Sequence, residues 1–400
     1  MAFCWTDIRL LDWLLPVLIA VIFVFRMYCY VRYIAAVQRR FRHKKYKRFR
    51  WKNIPDDADG APKGVSVIIC AKNEEHNLCD YLPMVLSQDY PLFEVIVVND
   101  ASLDNTELVL EHYRRLYPNL HLTFVPQNSR LCATKKLGIT LAAKAAQYDY
   151  LLLTDADCVP ESKRWISEMM SGFRNPDTDI VIGYGAYFME KTAVNRFIQY
   201  ETLTTGLLYL GLAMEGHPYM GVGRNLAYRK ELFFRSGGFS NMLQQKAGDD
   251  DLFVNRVATR RNTEVVVTRD SITWSVPKHT FEEWFVQKKR HLSVAPAYRT
   301  GTKWRLASEP VARALWYIGM IVAAVAAAQG ALNIFAALAI AALFVIMIVT
   351  QAAILTRSSH LLGTRGFGLS VLFFDIFMPL MQLTMLMRRN TTPASDLKWN

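Results

Sequence analysis

The residues from Ala314 to Leu355 contain no charged side chain over 42 positions, and this run constrains the fold more than any other feature of the sequence. A helix needs about 20 apolar residues to cross a bilayer, so the run is long enough for two crossings. The turn between them is expected near Gln329–Asn333, where polar residues interrupt the apolar ones. The sequence therefore predicts a membrane protein with two transmembrane helices within residues 310–355.

A second apolar segment lies near the N-terminus, over residues 8–37. Arg26 and Arg32 interrupt it, but the stretch Trp13–Tyr33 is long enough to cross if these arginines extend toward a polar boundary. The following residues, Gln38–Lys52, contain nine Lys and Arg and no acid. Basic residues beside a crossing collect on the cytosolic side, so this segment predicts an N-terminal transmembrane helix in the cell (inner) membrane with a cytosolic domain behind it.

The same basic segment explains most of the formal net charge of +12. Outside it, 38 basic residues nearly balance 35 acidic ones, so the charge is local. A basic run that adjoins an apolar crossing is typical of a segment that contacts the headgroups of membrane lipid. We therefore expect membrane lipid as a partner and no nucleic acid.

The C-terminal apolar segment, residues 366–388, is ambiguous. Asp375 and Pro379 lie in its middle, and Arg388 and Arg389 lie at its end. If the large domain is cytosolic, a complete crossing here would place both arginines outside, against the charge rule. The sequence favours a helix that lies at the interface or re-enters the membrane over a further transmembrane helix, and the number of crossings is three or four.

Residues 38–63 are expected to form a basic juxtamembrane segment and a linker, and residues 64–300 a soluble domain. Within that domain, short β-branched apolar runs alternate with stretches of helical spacing, which predicts an α/β fold with a parallel sheet covered by helices on both faces. Ligands bind such sheets at the carboxyl ends of the strands. The strands are expected at Val65–Cys70, Glu94–Val98, Leu120–Val125 and Tyr150–Thr154, and the helices at Glu75–Leu86, Asp104–Tyr117 and Lys136–Ala146.

Carboxylates follow several of these strands. A single aspartate after a strand often caps the next helix, and capping is the favoured interpretation of Asp104. Asp100 is different, because a better cap follows it within a few residues. Asp155 and Asp157 flank one alanine after the fourth strand, and two such carboxylates can place oxygens around a hard cation. The pattern predicts a site for Mg²⁺ or Mn²⁺ whose remaining ligands are water and substrate phosphate.

Seven motifs follow one another along about residues 64–300: VSVIICAKNEE, VIVVNDASLDNT, KKLG, YLLLTDADCVP, GVGRNLAYRKELFFRSGGF, GDDDLFVNR and QKKRH. In this order they resemble the family 2 glycosyltransferases, whose catalytic domain has the GT-A fold, a Rossmann-like fold of nucleotide-diphospho-sugar transferases. Seven motifs in register are far more specific than any one of them.

The resemblance implies a binding site for the nucleotide of a UDP- or GDP-sugar donor. Asp100 would accept a hydrogen bond from the base, while Glu75 and the backbone near Ala71 would line the same pocket. Lys136, or its neighbour Lys135, would lie near the nucleotide.

The resemblance also implies the residues around the diphosphate and the acceptor. Asp155 would lie beside the ribose and near the metal, and Asp157 would bind the metal on the diphosphate. Asp249 occupies the position of the family's catalytic base. The family usually has Glu before that Asp, whereas this chain has Gly248, so Asp250 is the reserve candidate.

Gln287, Arg290 and His291 match a family motif that normally reads Gln-x-x-Arg-Trp. Here His291 replaces the Trp, which would remove an aromatic surface for sugar stacking but not the charge of Arg290. The resemblance implies an inverting, metal-dependent transfer from a nucleotide-sugar to a glycan or lipid-linked acceptor at the cytosolic face of the membrane. A processive polysaccharide synthase is the alternative, and a non-catalytic nucleotide-sugar sensor is a third possibility. The small number of crossings and His291 favour the addition of one or a few sugars.

Overall fold

The structure is a computed structural model of the 400-residue chain, and it describes residues 5–42, 62–126, 134–242, 245 and 247–387. The helices are α1 (Trp5–Cys29), α2 (Ala36–Arg42), α3 (Glu75–Leu86), α4 (Thr106–Leu116), α5 (Thr134–Ala145), α6 (Trp165–Met170), α7 (Ala193–Met214), α8 (Lys230–Arg235), α9 (Asp251–Val257), α10 (Phe281–Leu292), α11 (Thr300–Ala328), α12 (Ile334–Leu361) and α13 (Ser370–Met387). A π-helical segment, Tyr30–Ile34, joins α1 to α2.

The strands are β1 (Val65–Ala71), β2 (Phe93–Asn99), β3 (Leu120–Phe124), β4 (Tyr150–Asp155), β5 (Cys158–Pro160), β6 (Ile180–Ile182), β7 (Gly185–Tyr187), β8 (Leu226–Arg229), β9 (Thr263–Val265) and β10 (Thr273–Ser275). Seven of them form one sheet in the order β3-β2-β1-β4-β8-β6-β9. The first four are parallel, as the sequence predicts. β8 runs antiparallel to β4 and β6, and β9 is parallel to β6, so the complete sheet is mixed.

Helices cover both faces of this sheet. Alternate side chains of the central strands therefore pack into two different hydrophobic clusters. Leu151 and Leu153 of β4 pack with Ile139 of α5 in one cluster. Leu152 of the same strand packs with Leu82 of α3 in another. Strands that are buried on both faces read as continuous apolar runs, which is why the sequence locates these strands correctly.

A small second sheet of order β5-β10-β7 adjoins the carboxyl end of β4. β5 follows β4 after two residues and pairs antiparallel with β10, so that Cys158 lies opposite Ser275. β10 also pairs in parallel with β7. The later strand β10 therefore holds the chain in place directly after the acidic end of β4.

Among the described residues, three helices are long and apolar enough to cross a membrane: the segment Trp13–Ile34 and the helices α11 and α12. α11 ends at Ala328 and α12 begins at Ile334, so the turn between them falls at the expected residues. A shorter apolar helix covers Ser370–Met381. The division of the chain at residues 37, 63, 300 and 355 stays a prediction.

Asp375, which argues from sequence against a complete crossing by α13, is fully buried and paired. Its carboxylate lies 3.1 Å from the guanidinium of Arg26 on α1 and 3.4 Å from that of Arg313 on α11. The hydroxyl of Tyr317 donates a hydrogen bond of 2.8 Å to it. A carboxylate at membrane depth is tolerated when it is paired in this way, so Asp375 gives no reason to exclude α13 from the helix bundle.

Candidate active site

The loops that follow β1 and β2 are tied to each other. The amide side chain of Asn73 accepts a hydrogen bond of 2.8 Å from the backbone of Leu103, and its backbone N–H donates one of 3.0 Å to the hydroxyl of Ser102. Asn73 and Ala101 have φ angles of 55° and 49°. This left-handed conformation is unfavourable for alanine, and such strain is concentrated at functional sites.

Asp100 lies in the strained loop after β2 and is only 3% exposed. Its backbone N–H donates to the carbonyl of Ala71 at 2.8 Å. Among the described residues, its Oδ2 atom accepts no hydrogen bond, and the ammonium of Lys72 lies 3.9 Å away. A buried acceptor without a donor is costly, so this carboxylate fits a bound group that presents an N–H.

Glu75 and Asp104 connect the same two loops, because each carboxylate accepts hydrogen bonds from the other loop. The carboxylate of Asp104 accepts hydrogen bonds of 3.1 Å from the backbones of Thr106 and Glu75. The carboxylate of Glu75 accepts hydrogen bonds from the backbone and the side chain of Asn105, at 3.3 and 3.0 Å. Asp104 thus orders the start of α4 as the sequence suggests, and Glu75 lies at the rim of the pocket beside it.

Lys135 and Lys136, at the start of α5, have different contacts: Lys135 pairs with carboxylates, and Lys136 binds backbone carbonyls. The ammonium of Lys135 lies 2.8 Å from Asp155 and 3.5 Å from Asp249. Burial alone would lower the pKa of Lys135, but these two carboxylates raise it well above its ordinary value. Lys136 is buried, and its ammonium donates at 2.7–2.9 Å to the carbonyls of Met242, Gln245 and Ala247. Lys135 therefore joins the acidic residues, whereas Lys136 holds the segment that leads to Asp249.

Asp155 and Asp157 stand at the end of β4, as the sequence predicts. Ligand atoms of Asp155, Asp157 and Cys158 all lie within 4.8 Å of one another. Burial and the charge of Asp155 raise the pKa of Asp157. Burial also acts to raise the pKa of Asp155, but Lys135 overrides it and lowers that pKa. Two adjacent carboxylates leave a local excess of negative charge, which a divalent cation would neutralise.

Cys158 is a poor ligand for such a cation. Its thiol donates a hydrogen bond of 3.4 Å to Asp157 and contacts the hydroxyl of Ser275 at 2.9 Å. Burial raises the pKa of the Cys158 thiol well above its ordinary value, so the sulfur stays protonated. Mg²⁺ and Mn²⁺ prefer oxygen ligands, and the residues that fit them here are Asp155 and Asp157.

The three aspartates after Gly248 have different surroundings. The carboxylate of Asp250 caps α9, because it accepts a hydrogen bond of 2.8 Å from the backbone of Asp251. It also accepts one of 2.6 Å from the backbone of Gly223. Asp251 is buried and accepts a hydrogen bond of 2.7 Å from the hydroxyl of Tyr298. The described residues give Asp249 one charged neighbour within ion-pair distance, Lys135. Asp249 is therefore better placed than Asp250 to accept a proton from a ligand.

Burial raises the pKa of both Asp250 and Asp251. The pKa of Asp250 rises to about 6, because burial and the charge of Asp249 disfavour its ionised form. The pKa of Asp251 rises to about 8 for the same kind of reason, with Asp250 as the charged neighbour. Gly248 has a φ of 87°, and a Cβ there would lie 2.6 Å from Leu252. This turn explains why the chain has glycine where the resemblance leads one to expect Glu.

Arg224 is a site residue that the sequence reasoning missed. Its guanidinium lies 4.2 Å from the ring of Tyr187 and donates hydrogen bonds of about 3.1 Å to the carbonyl of Ala186 and 3.0 Å to Ser275. Its charge lowers the pKa of Asp155 after the larger effects of burial and Lys135. The available signal was its place in the GVGRNLAYRK motif, before β8.

Glu74 was missed as well, although it lies in the first motif. Burial, followed by the charges of Asp157 and Asp155, raises its pKa to about 7. Its carboxylate accepts a hydrogen bond of 2.6 Å from the side chain of Asn77. A carboxyl that is protonated near neutral pH can donate a hydrogen bond, so Glu74 extends the polar wall of the site.

The residues of α10 close another side of the cleft. A capping box between Thr280 and Glu283 fixes the start of this helix. Gln287 donates a hydrogen bond of 3.3 Å to the hydroxyl of Tyr187. The guanidinium of Arg224 lies over the ring of the same tyrosine. Arg290 is half-buried and close enough to Asp155 to lower its pKa, in addition to the larger effects of burial and Lys135.

His291, at the Trp position of the family motif, is exposed on the same helix α10.

The sequence of residues 66–245 matches the model of glycosyl transferase family 2. These residues form a family 2 glycosyl transferase domain. The end of the match lies before Asp249 and α10, so the roles of those residues rest on their geometry and on the resemblance of their motifs.

Two curated relatives of this glycosyl transferase domain are named as a synthase and a glycosyltransferase. The chain is 29% identical over 121 residues to the poly-beta-1,6-N-acetyl-D-glucosamine synthase of Staphylococcus epidermidis, a match that covers 30% of this chain and 28% of the relative. It is 31% identical over 121 residues to glycosyltransferase AglE of Haloferax volcanii, covering 30% of this chain and 38% of the relative. The matches thus span about a third of the relatives' length.

A solved structure supports the GT-A fold of this glycosyl transferase over nearly the whole chain. The mannosyltransferase PcManGT from Pyrobaculum calidifontis, in complex with GDP-Man and Mn²⁺, aligns with a TM-score of 0.54 at 18% identity. The alignment covers 93% of this chain and 98% of that protein. At this identity the likeness concerns the fold, which confirms the α/β architecture expected from the sequence.

Proposed function

We propose that this glycosyl transferase catalyses the inverting, metal-dependent transfer of a sugar from a UDP- or GDP-sugar to a glycan or lipid-linked acceptor. The observation that carries the proposal is the acidic cluster in which Asp155 and Asp249 lie within ion-pair distance of Lys135, and Asp157 lies beside Asp155. It lies at the carboxyl end of β4, where ligands of such sheets bind.

The residues around this cluster fit the chemistry of nucleotide-sugar cleavage. Negative charge develops on the diphosphate as the bond to the sugar breaks. Asp157 and Asp155 would hold Mg²⁺ or Mn²⁺ there, and the cation would supply stabilisation of that charge. The guanidinium groups of Arg290 and Arg224 add fixed positive charge near Asp155.

Asp249 is the proposed catalytic base. The acceptor hydroxyl loses its proton as it attacks, and a positioned carboxylate can take that proton. Lys135 connects Asp249 to Asp155, so the base is held near the diphosphate site. The acceptor oxygen attacks the anomeric carbon on the face opposite the nucleoside diphosphate. The new bond to the acceptor oxygen forms as the bond to the diphosphate breaks, in a single displacement. The configuration of the anomeric carbon therefore inverts.

A synthase that makes a long polysaccharide is the second candidate, because one relative is named as a poly-N-acetylglucosamine synthase. Two features support the addition of one or a few sugars instead. In the described part of the chain three helices meet the length and polarity of a crossing, which is little material for a channel. His291 also provides a smaller stacking surface than Trp. Sizing the labelled products separates the two: a high-molecular-weight smear at a low enzyme-to-acceptor ratio supports the synthase.

The central experiment offers the purified full-length protein a panel of nucleotide-sugars and measures which nucleoside diphosphate is released. We expect release from one class of UDP- or GDP-sugar, loss of that release with EDTA, and recovery with Mg²⁺ or Mn²⁺. The anomeric configuration of the product, read by NMR, tests inversion. Saturable donor binding without release of any diphosphate would instead identify a non-catalytic sensor of nucleotide-sugars.

We also propose that the catalytic domain faces the cytosol and that the chain is an inner-membrane protein. The nine basic residues of Gln38–Lys52 support this orientation. A cysteine at Asp57 should resist membrane-impermeant thiol reagents in intact cells and react after permeabilisation. A cysteine at Gly330, between α11 and α12, should react in intact cells. The reverse pattern would overturn the orientation.

A further inference from the structure

A cavity of about 220 Å³ lies on the far side of α7 from the catalytic cleft, between that helix, the end of α1 and the start of α11. α7 contacts the catalytic side through Gln199, which donates a hydrogen bond of 2.7 Å to the carbonyl of Tyr187. Its other face lines the cavity. The walls are mainly apolar and aromatic, and include Phe25, Tyr28, Leu208, Leu212, Leu355 and Met378.

The π-helical segment Tyr30–Ile34 builds one wall of this cavity. Tyr30 and Tyr33 both line it. The segment packs so closely on α7 that a Cβ at Gly211 would lie 1.9 Å from the carbonyl oxygen of Tyr33. Glycine is therefore required where the two elements meet. Single π-helical turns inside helices are frequent at functional sites, and here the turn places two tyrosines in the wall.

The cavity lies at the level where the apolar spans end. The candidate span Trp13–Ile34 finishes at the π-helical segment, and the uncharged run of α11 begins directly after Arg313, which also lines the cavity. Phe25 and Tyr28 at the rim are 39% and 52% exposed. Tyrosine, like Tyr28 here, is enriched where a protein meets the lipid headgroups. The cavity is thus positioned to receive a molecule from the bilayer.

The charges around the cavity leave one cation uncompensated. Arg313 and Glu309 line it, but they pair with each other, and Arg313 also pairs with Asp375. Arg305 lines the cavity too and is exposed. The part of the chain that the structure describes offers its guanidinium neither an ion pair nor a hydrogen bond. An anionic group would balance this charge.

A buried polar atom in the wall also lacks a partner. Tyr200 of α7 lines the cavity and is 1% exposed, and no described residue forms a hydrogen bond with its hydroxyl. A buried hydroxyl without a partner is costly. The wall therefore combines an apolar surface, a lone cation and an unsatisfied hydroxyl, which together match an amphiphile with a polar head.

We propose that this cavity binds a bilayer lipid with an anionic phosphate headgroup. The acyl chain lies against Leu208 and Leu212 of α7, and the phosphate lies at Arg305. The proposal rests on the membrane placement proposed above but not on the sugar chemistry, because lipid binding needs no donor or acceptor. A lipid held here lies against the helix that also borders the catalytic cleft.

The test uses the full chain, purified in detergent and equilibrated with phosphatidylglycerol or phosphatidylcholine, with bound lipid counted by native mass spectrometry. We expect phosphatidylglycerol to remain bound to the parent protein. Leu208→Trp fills the cavity and should reduce its occupancy at least about fivefold. Leu315→Trp is the matched control, because Leu315 is exposed on α11 outside the cavity and its substitution should leave occupancy unchanged.

The charge is tested separately by Arg305→Gln, with Lys303→Gln two residues away as control. Arg305→Gln should reduce the preference for phosphatidylglycerol over phosphatidylcholine about fivefold, the factor equivalent to about 1 kcal/mol for one basic residue at an anionic surface. Lys303→Gln should leave it unchanged. Equal retention by the parent and Leu208→Trp, or no preference between the lipids in the parent, would overturn the proposal. Release of nucleoside diphosphate is assayed in parallel, so a failure of the proposed function is seen independently.

Discussion

The chain contains two clusters of charged side chains, one in the catalytic cleft and one in the helix bundle, and they differ in balance. In the cleft, Asp155 and Asp249 lie within ion-pair distance of one described cation, Lys135, and Asp157 lies beside Asp155. In the bundle, the acids Glu309 and Asp375 are matched by the arginines 26 and 313. The cleft has carboxylates in excess, whereas the bundle has equal numbers of each sign.

The comparison separates charges that bind a ligand from charges that hold helices together. Excess carboxylates in a cleft repel one another until a cation enters, so they are useful only with a ligand present. The bundle carboxylate of Asp375 already has two arginines and the hydroxyl of Tyr317. Substitutions in the cleft should therefore change activity, and substitutions in the bundle should change stability.

The largest effect is expected in the bundle. Asp375→Asn leaves Arg26 and Arg313 without their shared counter-charge, and removal of one partner from a buried ion pair costs about 3 kcal/mol or more. We expect a much lower unfolding midpoint in detergent, while turnover per folded molecule stays near that of the parent. Asp80→Asn, at an exposed position of α3, is the control. A stable but inactive Asp375→Asn protein would mean that the bundle cluster takes part in catalysis.

The next effect concerns the proposed base. Asp249→Asn keeps the shape of the side chain but cannot accept a proton, so turnover should fall at least ~10²-fold with little change in donor affinity. Asp250→Asn is the matched comparison, since the carboxylate oxygens of Asp250 already accept hydrogen bonds from two backbone N–H groups. It should lower stability more than turnover. The opposite result would assign the base to Asp250.

A smaller effect is expected for the metal. Asp157→Asn removes one proposed ligand, and we expect the Mn²⁺ concentration for half-maximal activity to rise at least ~10-fold, since even indirect partners of metal ligands change affinity by that factor. Donor affinity should weaken with it. Cys158→Ser serves as control, because the thiol is not a proposed ligand. Full activity of Asp157→Asn without added metal would remove Asp157 from the site.

The smallest effect concerns pH. Burial and the charge of Asp250 raise the pKa of Asp251 to about 8 in the folded state, above its unfolded value of roughly 3.9. The folded protein therefore holds a proton that the unfolded chain has lost, so the free energy of unfolding falls as pH rises from about 4 to about 8. Asp251→Asn should remove about 1 kcal/mol of this decline between pH 7 and pH 8, which thermal unfolding at these two pH values can measure. An unchanged decline would mean that Asp251 is ionised in the folded state.

Much of the soluble domain could be predicted from the sequence, because its central strands are long and buried on both faces. The expected helix Glu75–Leu86 is confirmed as α3 with the same bounds. The strands from β5 onward have three or four residues each, too few to show a period. They were not predicted, and neither was the antiparallel part of the sheet.

The sequence predicted the site residues where a motif coincides with the end of a strand. It could not predict those whose position is set by contacts between residues far apart in the sequence. Asp155 and Asp157 lie where the sequence placed them. The choice between Lys135 and Lys136 depends on the carbonyls of a segment more than 100 residues later, which no local pattern reports. The ion pairs of Asp375 are formed with arginines of two other helices, so the local sequence could not show them.

The pairing of β5 with β10 has a consequence for the order in which the domain can assemble during synthesis. Cys158 and Ser275 are 117 positions apart, yet their contact fixes the chain directly after Asp157. Contacts between residues so distant in sequence form late, because the whole intervening chain must be present. A nascent chain that has emerged only to residue 272 contains both proposed metal-ligand carboxylates but lacks the strand that holds the chain beside them. The proposed cation site is thus completed only after nearly all of the soluble domain has left the ribosome.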